Sequence, residues 1–386
     1  MITRRSFALQ LAGLSATAAV PALAAVGERR TATKSGQRVL VLGGTGHLGP
    51  HFVQAALQAG HRVSVFSRGK SATDLPPQVE RLVGDRNGDL GSIKQREWDI
   101  VIDVATLGPA WVRSLGQALK GRVGHYTFVS SIGVYDNSGN QPVKVDEDSR
   151  LMMYKGTADP YSVTTFDDDE YGALKAFCEV EAQAQFPGRV LNLRPCYITG
   201  PGDRVGALAY WALRMQKGGE VLAAGDPLAP INLIDVRDLC QWAIHLAGRR
   251  ETGNFNTSGP VQPMNWGGLL KTLGTRASTP VQLTWVPVSW LSKHEITAEF
   301  DNLLFWTTGV SSGGMLISNK RALGKGLVLR PVTATAEDSL AWYGAQQAEE
   351  QQQLLLGFEG KKEGLNESMA RERSLLTAWH EDAGGA

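Results

Sequence analysis

The chain has 386 residues, 42% of them hydrophobic and 20% charged, which excludes global disorder and suffices for one large α/β domain with a smaller companion. Its 39 lysines and arginines nearly balance its 38 aspartates and glutamates, so no excess of positive charge indicates a nucleic-acid or anionic-membrane surface. The three cysteines are widely separated and fit neither a disulfide framework nor a zinc site, and we predict no bound metal.

The N-terminus has the parts of an export signal in their usual order. Arg4 and Arg5 precede an uncharged run over residues 6–25 that ends in small residues, as in a cleaved signal peptide. The paired arginines resemble the twin-arginine form, which directs export of folded proteins. We therefore expect residues 1–24 to be removed, residues 25–36 to form a linker, and the mature protein to be periplasmic or secreted, without stable membrane insertion. A frayed basic N-terminus is the alternative.

From residue 37 onward, short β-branched runs alternate with helical stretches, which is typical of a parallel sheet covered by helices on both faces. We predict a doubly wound α/β fold of the Rossmann type with a smaller C-terminal substrate lobe. The domain boundaries we expect are 37–195 for the NAD(P)-binding domain, 196–345 for a substrate-binding lobe interleaved with the last sheet elements, and 346–386 for a polar helical tail with a loose end. The predicted elements of the first domain are a strand at 38–43, a helix at 48–59, and strands at 62–67, 80–84, 99–104, 125–130 and 190–194.

A glycine-rich turn, GGTGHLG, joins the first strand to the first helix. Gly43, Gly46 and Gly49 would serve a tight turn, close approach of the backbone to a pyrophosphate, and close packing of helix on strand. The helix N-terminus presents unpaired N–H groups to the phosphates. The pattern predicts a dinucleotide bound at this turn, beside His47 and Leu48, whereas a merely flexible turn is the alternative.

The end of the second strand bears on which dinucleotide is bound. NAD-binding chains place a carboxylate here, but this chain has Ser67, Arg68 and Lys70, and a basic group would accommodate the 2′-phosphate of NADP. We favour NADP over NAD, the alternative being that Arg68 stacks on the adenine. After the third strand, Asp85 can bind the adenine amino group or be a solvated turn residue, and Arg86 follows it as a further cofactor candidate.

Tyr171 and Lys175 are four residues apart on a predicted helix and therefore project from one face. A nearby ammonium favours the phenolate form of a tyrosine, which can then act as an acid/base, and the same lysine can hold the nicotinamide ribose. On its own this spacing also fits an ordinary surface pair. Its context is the segment FVSSIGVY (128–135), at the end of the preceding strand.

Together these motifs resemble those of the NAD-dependent epimerase/dehydratase family, the extended short-chain dehydrogenases typified by UDP-glucose 4-epimerase. The resemblance covers about residues 37–345 and is carried further by LRPCYITGPGD (193–203), NLIDVRDL (232–239) and GNFNTSGP (253–260). It implies that Ser131 polarises a substrate hydroxyl, that Tyr171 is the acid/base and that Lys175 binds the cofactor. It also implies a sugar-like alcohol or ketone as substrate and a homodimer built on paired helices. Further cofactor neighbours are expected at Val104, Ala105, Pro195 and Tyr197.

The chain departs from the family pattern at three places. The spacing from Ser131 to Tyr171 is longer, because a segment over 136–166 lacks any period and is expected to be a functional or mobile loop. The second-strand acid is missing. After the fourth strand, DVATLGP replaces the usual small-residue turn, which makes Asp103 and Thr106 weaker cofactor candidates.

Three residues on the substrate side have open roles. Cys196 is expected to pack rather than react, and Arg204 and Arg237 are candidates for binding an anionic substrate or, alternatively, for structural ion pairs.

The predicted compartment limits the reaction. Outside the cytoplasm no soluble pool would replace a spent cofactor, so we expect tight binding and a reaction that regenerates the cofactor in each cycle, such as epimerisation or dehydration. An NADP-dependent reductase or dehydrogenase with an exchangeable cofactor is one alternative. A non-catalytic nucleotide- or RNA-binding protein of the same fold is another, although the near-neutral charge and the retained Ser131, Tyr171 and Lys175 argue against it.

Overall fold

The computed structural model of the chain describes residues 36–70, 75–104, 108–136, 143–163, 168–204, 206–294, 315–354 and 364–384. The predicted signal peptide, the linker up to residue 35, and Ala105 and Thr106 lie outside these residues, so what was predicted for them stays a prediction.

The first half of the chain follows the predicted alternation of strands and helices. Its elements are β1 (Arg38–Leu42), α1 (Leu48–Gln58), β2 (Arg62–Ser67), β3 (Glu80–Val83), β4 (Ile100–Asp103), α2 (Pro109–Ala118), β5 (Tyr126–Val129), the 3₁₀ helix η1 (Ile132–Val134), β6 (Val143–Val145), α3 (Asp168–Gln185) and β7 (Val190–Pro195).

Shorter elements follow in the second half. They are β8 (Tyr197–Thr199), α4 (Ala207–Gln216), β9 (Gly219–Ala224), β10 (Pro230–Asp235), α5 (Val236–Gly248), β11 (Gly253–Thr257), β12 (Gly259–Asn265), α6 (Trp266–Gly274), β13 (Val281–Val286), α7 (Val288–Lys293), β14 (Met315–Ile317), α8 (Lys320–Gly324), α9 (Val332–Gly344), α10 (Ala348–Leu354) and α11 (Leu365–Gly384).

Seven of these strands form the central sheet in the order β11-β7-β5-β4-β1-β2-β3, and every neighbouring pair is parallel. The doubly wound fold is therefore confirmed, with all six predicted strands in place. The order places β1, which leads into the glycine turn, between β4 and β2. The carboxyl ends of β1, β2 and β4 consequently meet at one edge of the sheet, where ligands of such folds bind.

Alternating side chains of the central strands supply two separate cores. In β1, Val39 and Val41 belong to one hydrophobic cluster, and Leu40 and Leu42 belong to another. Successive strand residues point to opposite faces, so an apolar run such as RVLVL fits a strand that is buried on both sides. The first cluster includes residues of α1 and α5 and the second includes residues of α2 and α3, so helices cover both faces.

A third hydrophobic cluster lies in the C-terminal lobe, where Trp211 and Trp266 meet edge to face with ring centroids 4.9 Å apart. The predicted polar helical tail contains α10 and α11, and α11 packs on this lobe, a contact that its composition did not indicate. Buried Glu372 of α11 accepts a hydrogen bond from the Arg214 guanidinium and a second, of 2.8 Å, from the backbone N–H of Leu222. The predicted domain boundaries themselves stay predictions.

The described part of the 136–166 loop contains strand β6, which pairs with β14, and Tyr161 further along it packs against two helices. The guanidinium of Arg113 on α2 lies 3.4 Å from the ring centroid of Tyr161, whose hydroxyl donates to Glu181 of α3 at 2.5 Å. One end of the loop thereby covers the groove between α2 and α3. Among the described residues, no helix combines the length and apolarity needed to cross a membrane.

Candidate functional site

The glycine turn has the geometry that its sequence predicts. Gly43 has φ +81°, a left-handed conformation that side chains disfavour. A Cβ on Gly49 would lie 2.3 Å from the carbonyl carbon of Gly44, so this glycine allows the turn to pack against α1. A Cβ on Gly46 would meet only one atom, at 3.8 Å, which leaves room for a ligand to approach the backbone. Gly44, which the sequence analysis did not single out, packs so closely on β2 that a Cβ would lie 2.5 Å from Val65 Cγ1.

A cleft of about 520 Å³ opens at this turn. Helix α1 begins there, and no described side chain caps its first turn, so its N-terminal N–H groups can bind an anion. Nε2 of His47 is buried and has no hydrogen-bond partner in the described part of the chain. Burial lowers the pKa of His47 to about 4, so the ring is neutral at neutral pH. The uncapped helix, the open space at Gly46 and this nitrogen fit a dinucleotide pyrophosphate.

Two cations lie at one side of the cleft. Arg68 and Lys70 are exposed, line the cleft, and form no ion pair with any carboxylate that the structure describes. Between them, the N–H of Gly69 donates to Ser67 Oγ at 3.3 Å, which orders the turn after β2. Unpaired cations at this position can bind a phosphate directly. The remaining predicted residues that line the cleft are Leu48, Asp85, Arg86 and Val104.

Arg86 lines the cleft, but its guanidinium is paired with a carboxylate of the chain. It is buried and forms two hydrogen bonds with Asp103 at the end of β4, of 2.9 and 3.0 Å. The hydroxyl of Tyr126 donates to the same carboxylate at 2.7 Å. Asp85 Oδ1 accepts from the backbone N–H of Asn87 at 2.9 Å, which closes a turn beside the cleft.

The three predicted catalytic residues converge around η1. Ser131 caps this helix, and its Oγ accepts a 3.0 Å hydrogen bond from the N–H of Gly133. A Cβ on Gly133 would lie 3.3 Å from Ser131 Oγ and 3.6 Å from two ring carbons of Tyr171, so the hydroxyl and the ring border the same point. Lys175 is buried, with Nζ donating to the carbonyl of Val129 at 3.0 Å and lying 6.0 Å from the Tyr171 ring centroid.

A second glycine makes this convergence possible. Gly172 follows the tyrosine on α3, and a Cβ there would lie 2.0 Å from the carbonyl oxygen of Gly133 and 2.7 Å from Met152 Sδ. Only a residue without a side chain lets α3 approach η1 so closely. Sequence reasoning missed Gly172, because the contact joins segments forty residues apart in the chain.

Other predicted residues lie at the edge of the site or outside it. Pro195 ends β7 and is buried. The hydroxyl of Tyr197 donates to Asp203 at 2.7 Å, and Tyr197 is absent from the lining of the cleft in the described chain. Burial raises the pKa of the Cys196 thiol to about 11, which fits packing and not nucleophilic chemistry.

The two arginine candidates differ in their surroundings. Arg237 pairs with Asp235 and Asp338, which supports its structural interpretation. Arg204 is exposed.

The model of the NAD dependent epimerase/dehydratase family matches residues 39–257, which is more than half of the chain. The chain belongs to this family. Membership in this family supports an enzyme of the extended short-chain dehydrogenase type.

Individual relatives are distant. The chain is 28% identical to the 2′-dehydrokanamycin reductase of Streptomyces kanamyceticus over 277 residues, covering 68% of this chain and 73% of the relative. It is 26% identical to the chloroplast stem-loop binding protein of 41 kDa b of Arabidopsis thaliana over 244 residues. This match covers 58% of the chain and only 59% of that relative's length. The structure of UDP-glucuronic acid 4-epimerase from Bacillus cereus in complex with NAD aligns with a TM-score of 0.55 at 14% identity, over 79% of this chain and 98% of that one. At this identity the structural likeness shows the fold alone.

Proposed function

We propose that the chain is an NAD(P)-dependent oxidoreductase of the epimerase or dehydratase type, acting on a sugar or sugar-like alcohol or ketone with Tyr171 as the acid/base. The observation that carries this proposal is the meeting of Ser131 and the Tyr171 ring beside Gly133, with Lys175 buried one helical turn away. The cleft at the glycine turn has room for a dinucleotide, and the N–H groups at the start of α1 can donate to its phosphates.

Each polar group of the site has a separate role in the interconversion of an alcohol and a ketone. A bound nicotinamide supplies the acceptor or donor of a hydride. Tyr171 takes the proton from the substrate hydroxyl, or returns it to the ketone oxygen. Ser131 Oγ already accepts from the backbone, so its own O–H is left to donate to that substrate oxygen. The ammonium of Lys175 is held by the Val129 carbonyl on the same side of α3 as Tyr171, where it can bind the nicotinamide ribose.

The test of this chemistry is a Tyr171→Phe variant assayed against a panel of nucleotide sugars and sugar ketones. Removing an acid/base hydroxyl is expected to lower turnover by about 10²- to 10⁴-fold while dinucleotide binding is retained. Tyr343→Phe, at the end of α9, is the matched control and should keep wild-type turnover. Wild-type turnover in Tyr171→Phe would refute the assignment.

We also propose a preference for NADP over NAD, supported by the unpaired Arg68 and Lys70 at the cleft. The double variant Arg68→Ala/Lys70→Ala should bind NADP about 10- to 100-fold more weakly, because charge-assisted hydrogen bonds to the 2′-phosphate are lost. Its affinity for NAD should change by less than about threefold, since NAD lacks that phosphate. Lys94→Ala, an exposed lysine outside the cleft lining, is the control. Equal losses of both affinities would contradict the preference.

The export signal and the cofactor site together suggest a reaction that restores its own cofactor. We propose that the protein is exported folded through the twin-arginine pathway, carrying a tightly bound dinucleotide. Mass analysis of the small molecules released on denaturing the purified exported protein should then find about one dinucleotide per chain. An empty protein that binds the cofactor only at about millimolar concentration would argue against a self-restoring cycle.

Two alternatives draw on the distant relatives. A reductase with an exchangeable cofactor is favoured by the relative named 2′-dehydrokanamycin reductase, and steady turnover with added NADPH would support it. RNA binding is suggested by the relative named a stem-loop binding protein, but the balance of 39 basic and 38 acidic residues offers no broad phosphate-binding surface. The homodimer implied by the family resemblance stays a prediction.

A further inference from the structure

One wall of the cofactor cleft is an indole ring. Trp111 lies in the first turn of α2, lines the cleft together with Asp85 and Asn87, and is partly exposed. Its Nε1 donates to Asn87 Oδ1 at 2.8 Å, which fixes the orientation of the ring against the turn that follows β3. A flat aromatic surface with a fixed orientation therefore borders the same space as a carboxylate that can accept a hydrogen bond.

Arg86 contacts Trp111 through its guanidinium. One of its terminal nitrogens donates to the backbone carbonyl of Trp111 at 3.1 Å, and its Cζ lies 5.2 Å from the indole centroid. The guanidinium is itself held by the two bonds to Asp103, which has no exposed surface and also accepts from Tyr126. Nε of Arg86 is buried without a hydrogen-bond partner among the described residues.

The charges divide the cleft into two chemically different parts. Arg86 is paired with Asp103, so the wall that it forms with Trp111 offers an aromatic surface without a free positive charge, beside the carboxylate of Asp85. Arg68 and Lys70 line the cleft after β2 and form no ion pair with any carboxylate among the described residues. A ligand that satisfies both parts has a flat, uncharged aromatic ring beside a phosphorylated sugar.

We infer that Trp111 is the stacking platform for the adenine ring of the dinucleotide. Arg86 is the positioning residue that holds Trp111 in place, because its guanidinium is fixed by the two hydrogen bonds to Asp103. The inference rests on the proposed function, because it requires an adenine dinucleotide in the cleft. Asp85 lies at the same wall and can accept from the adenine amino group. Stacking of a base on an aromatic ring strengthens binding and slows release of the adenosine half, as a retained cofactor needs.

The test measures binding by calorimetry on protein stripped of cofactor, with two probes. ADP-ribose contains the adenine, and nicotinamide mononucleotide lacks it. Trp111→Ala should bind ADP-ribose about tenfold more weakly, equivalent to about 1.4 kcal/mol, with unchanged affinity for nicotinamide mononucleotide. Trp111→Phe should recover most of the loss. Trp290→Ala, on α7 and outside the cleft lining, should match the wild type for both probes.

The role of Arg86 is tested by its coupling to Trp111. Arg86→Lys keeps the charge but loses the planar fork, so it should weaken ADP-ribose binding in the wild-type background. In a Trp111→Ala background the same change should add little, because Arg86 acts through the indole. An additive loss would show that Arg86 serves only the fold and would overturn its positioning role.

The remaining outcomes separate this inference from the function on which it rests. A Trp111→Ala protein that binds ADP-ribose as tightly as the wild type overturns the stacking platform and leaves the proposed function standing. Equal losses for both probes also overturn it, because the damage then extends beyond the adenine. A wild-type protein that binds neither probe nor any dinucleotide overturns the proposed function and this inference together.

Discussion

A single methyl group at Gly172 should separate the candidate catalytic side chains. The Cβ of a Gly172→Ala variant would lie 2.0 Å from the carbonyl oxygen of Gly133, 3.0 Å from its carbon and 2.7 Å from Met152 Sδ. Two of these three atoms belong to the backbone of the turn that follows Ser131, so no side-chain rotation relieves the overlap. Helix α3 must move away from η1, and Tyr171 moves with it.

The size of the effect follows from two opposing contributions. Alanine is a better helix former than glycine by about 1 kcal/mol, which by itself would stabilise α3. Overpacking at a close contact costs about 1–3 kcal/mol, and here the overlap exceeds what small shifts absorb. We therefore expect a net loss of about 1–2 kcal/mol in the free energy of unfolding. A displacement of Tyr171 by about 1 Å should lower turnover by about 10²-fold.

Urea unfolding, dinucleotide binding and turnover are measured on the same preparation. The expected variant is modestly less stable, binds the dinucleotide at the glycine turn, and has lost most of its turnover. Gly344→Ala is the matched control, because that glycine ends α9 and a Cβ there meets nothing within 4 Å. A Gly172→Ala protein with wild-type stability and turnover would refute the reasoning, since the methyl group would then fit where the structure leaves no room.

Two further predictions concern stability. The pKa of His47 is lowered from 6.5 to about 4 by burial, so between these values the unfolded state binds more protons, and the stability present above pH 6.5 is lost as pH falls towards 4. His47→Gln should show a smaller fall in urea midpoint between pH 7 and pH 5, and an unchanged pH dependence would contradict this. A chain ending at residue 363 lacks α11, which leaves buried Arg214 without Glu372. This loss should cost about 3–5 kcal/mol in the free energy of unfolding. A truncated protein with the wild-type urea midpoint would contradict the contact.

Five of the six strands that sequence reasoning located are largely buried and have nearly continuous apolar runs, whereas the edge strand β3 is mostly exposed. Sequence reasoning did not predict β11, with the sequence GNFNT, as a sheet strand. Its polar residue Asn256 is buried because the Tyr135 hydroxyl donates to its side chain and Glu147 accepts from its backbone N–H. Hydrogen bonds to distant residues thus allow a polar strand inside the sheet, and local composition does not reveal such partners.

In the candidate site, too, the local features were predictable from the sequence and the long-range contacts were not. The glycine turn is local, since β1, the turn and α1 follow one another directly in the chain, and the structure has the tight turn at Gly43 and the close packing at Gly49. Arg86, predicted as a cofactor residue, lines the cleft, but its ion pair was not predicted. Its pairing with Asp103 depends on the contact between separate strand ends.

The sequence alone determined this protein's fold class, and it predicted a glycine-rich turn and candidate catalytic residues, because these depend on residue types and spacings within short segments. Only the tertiary structure decided that Ser131 and Tyr171 border one point, that Trp111 walls the cleft and that the C-terminal helix packs on the lobe. The physical reason is that these contacts join segments far apart in the chain, and their formation depends on steric fit, as at Gly172, and on paired buried charges, as at Arg86.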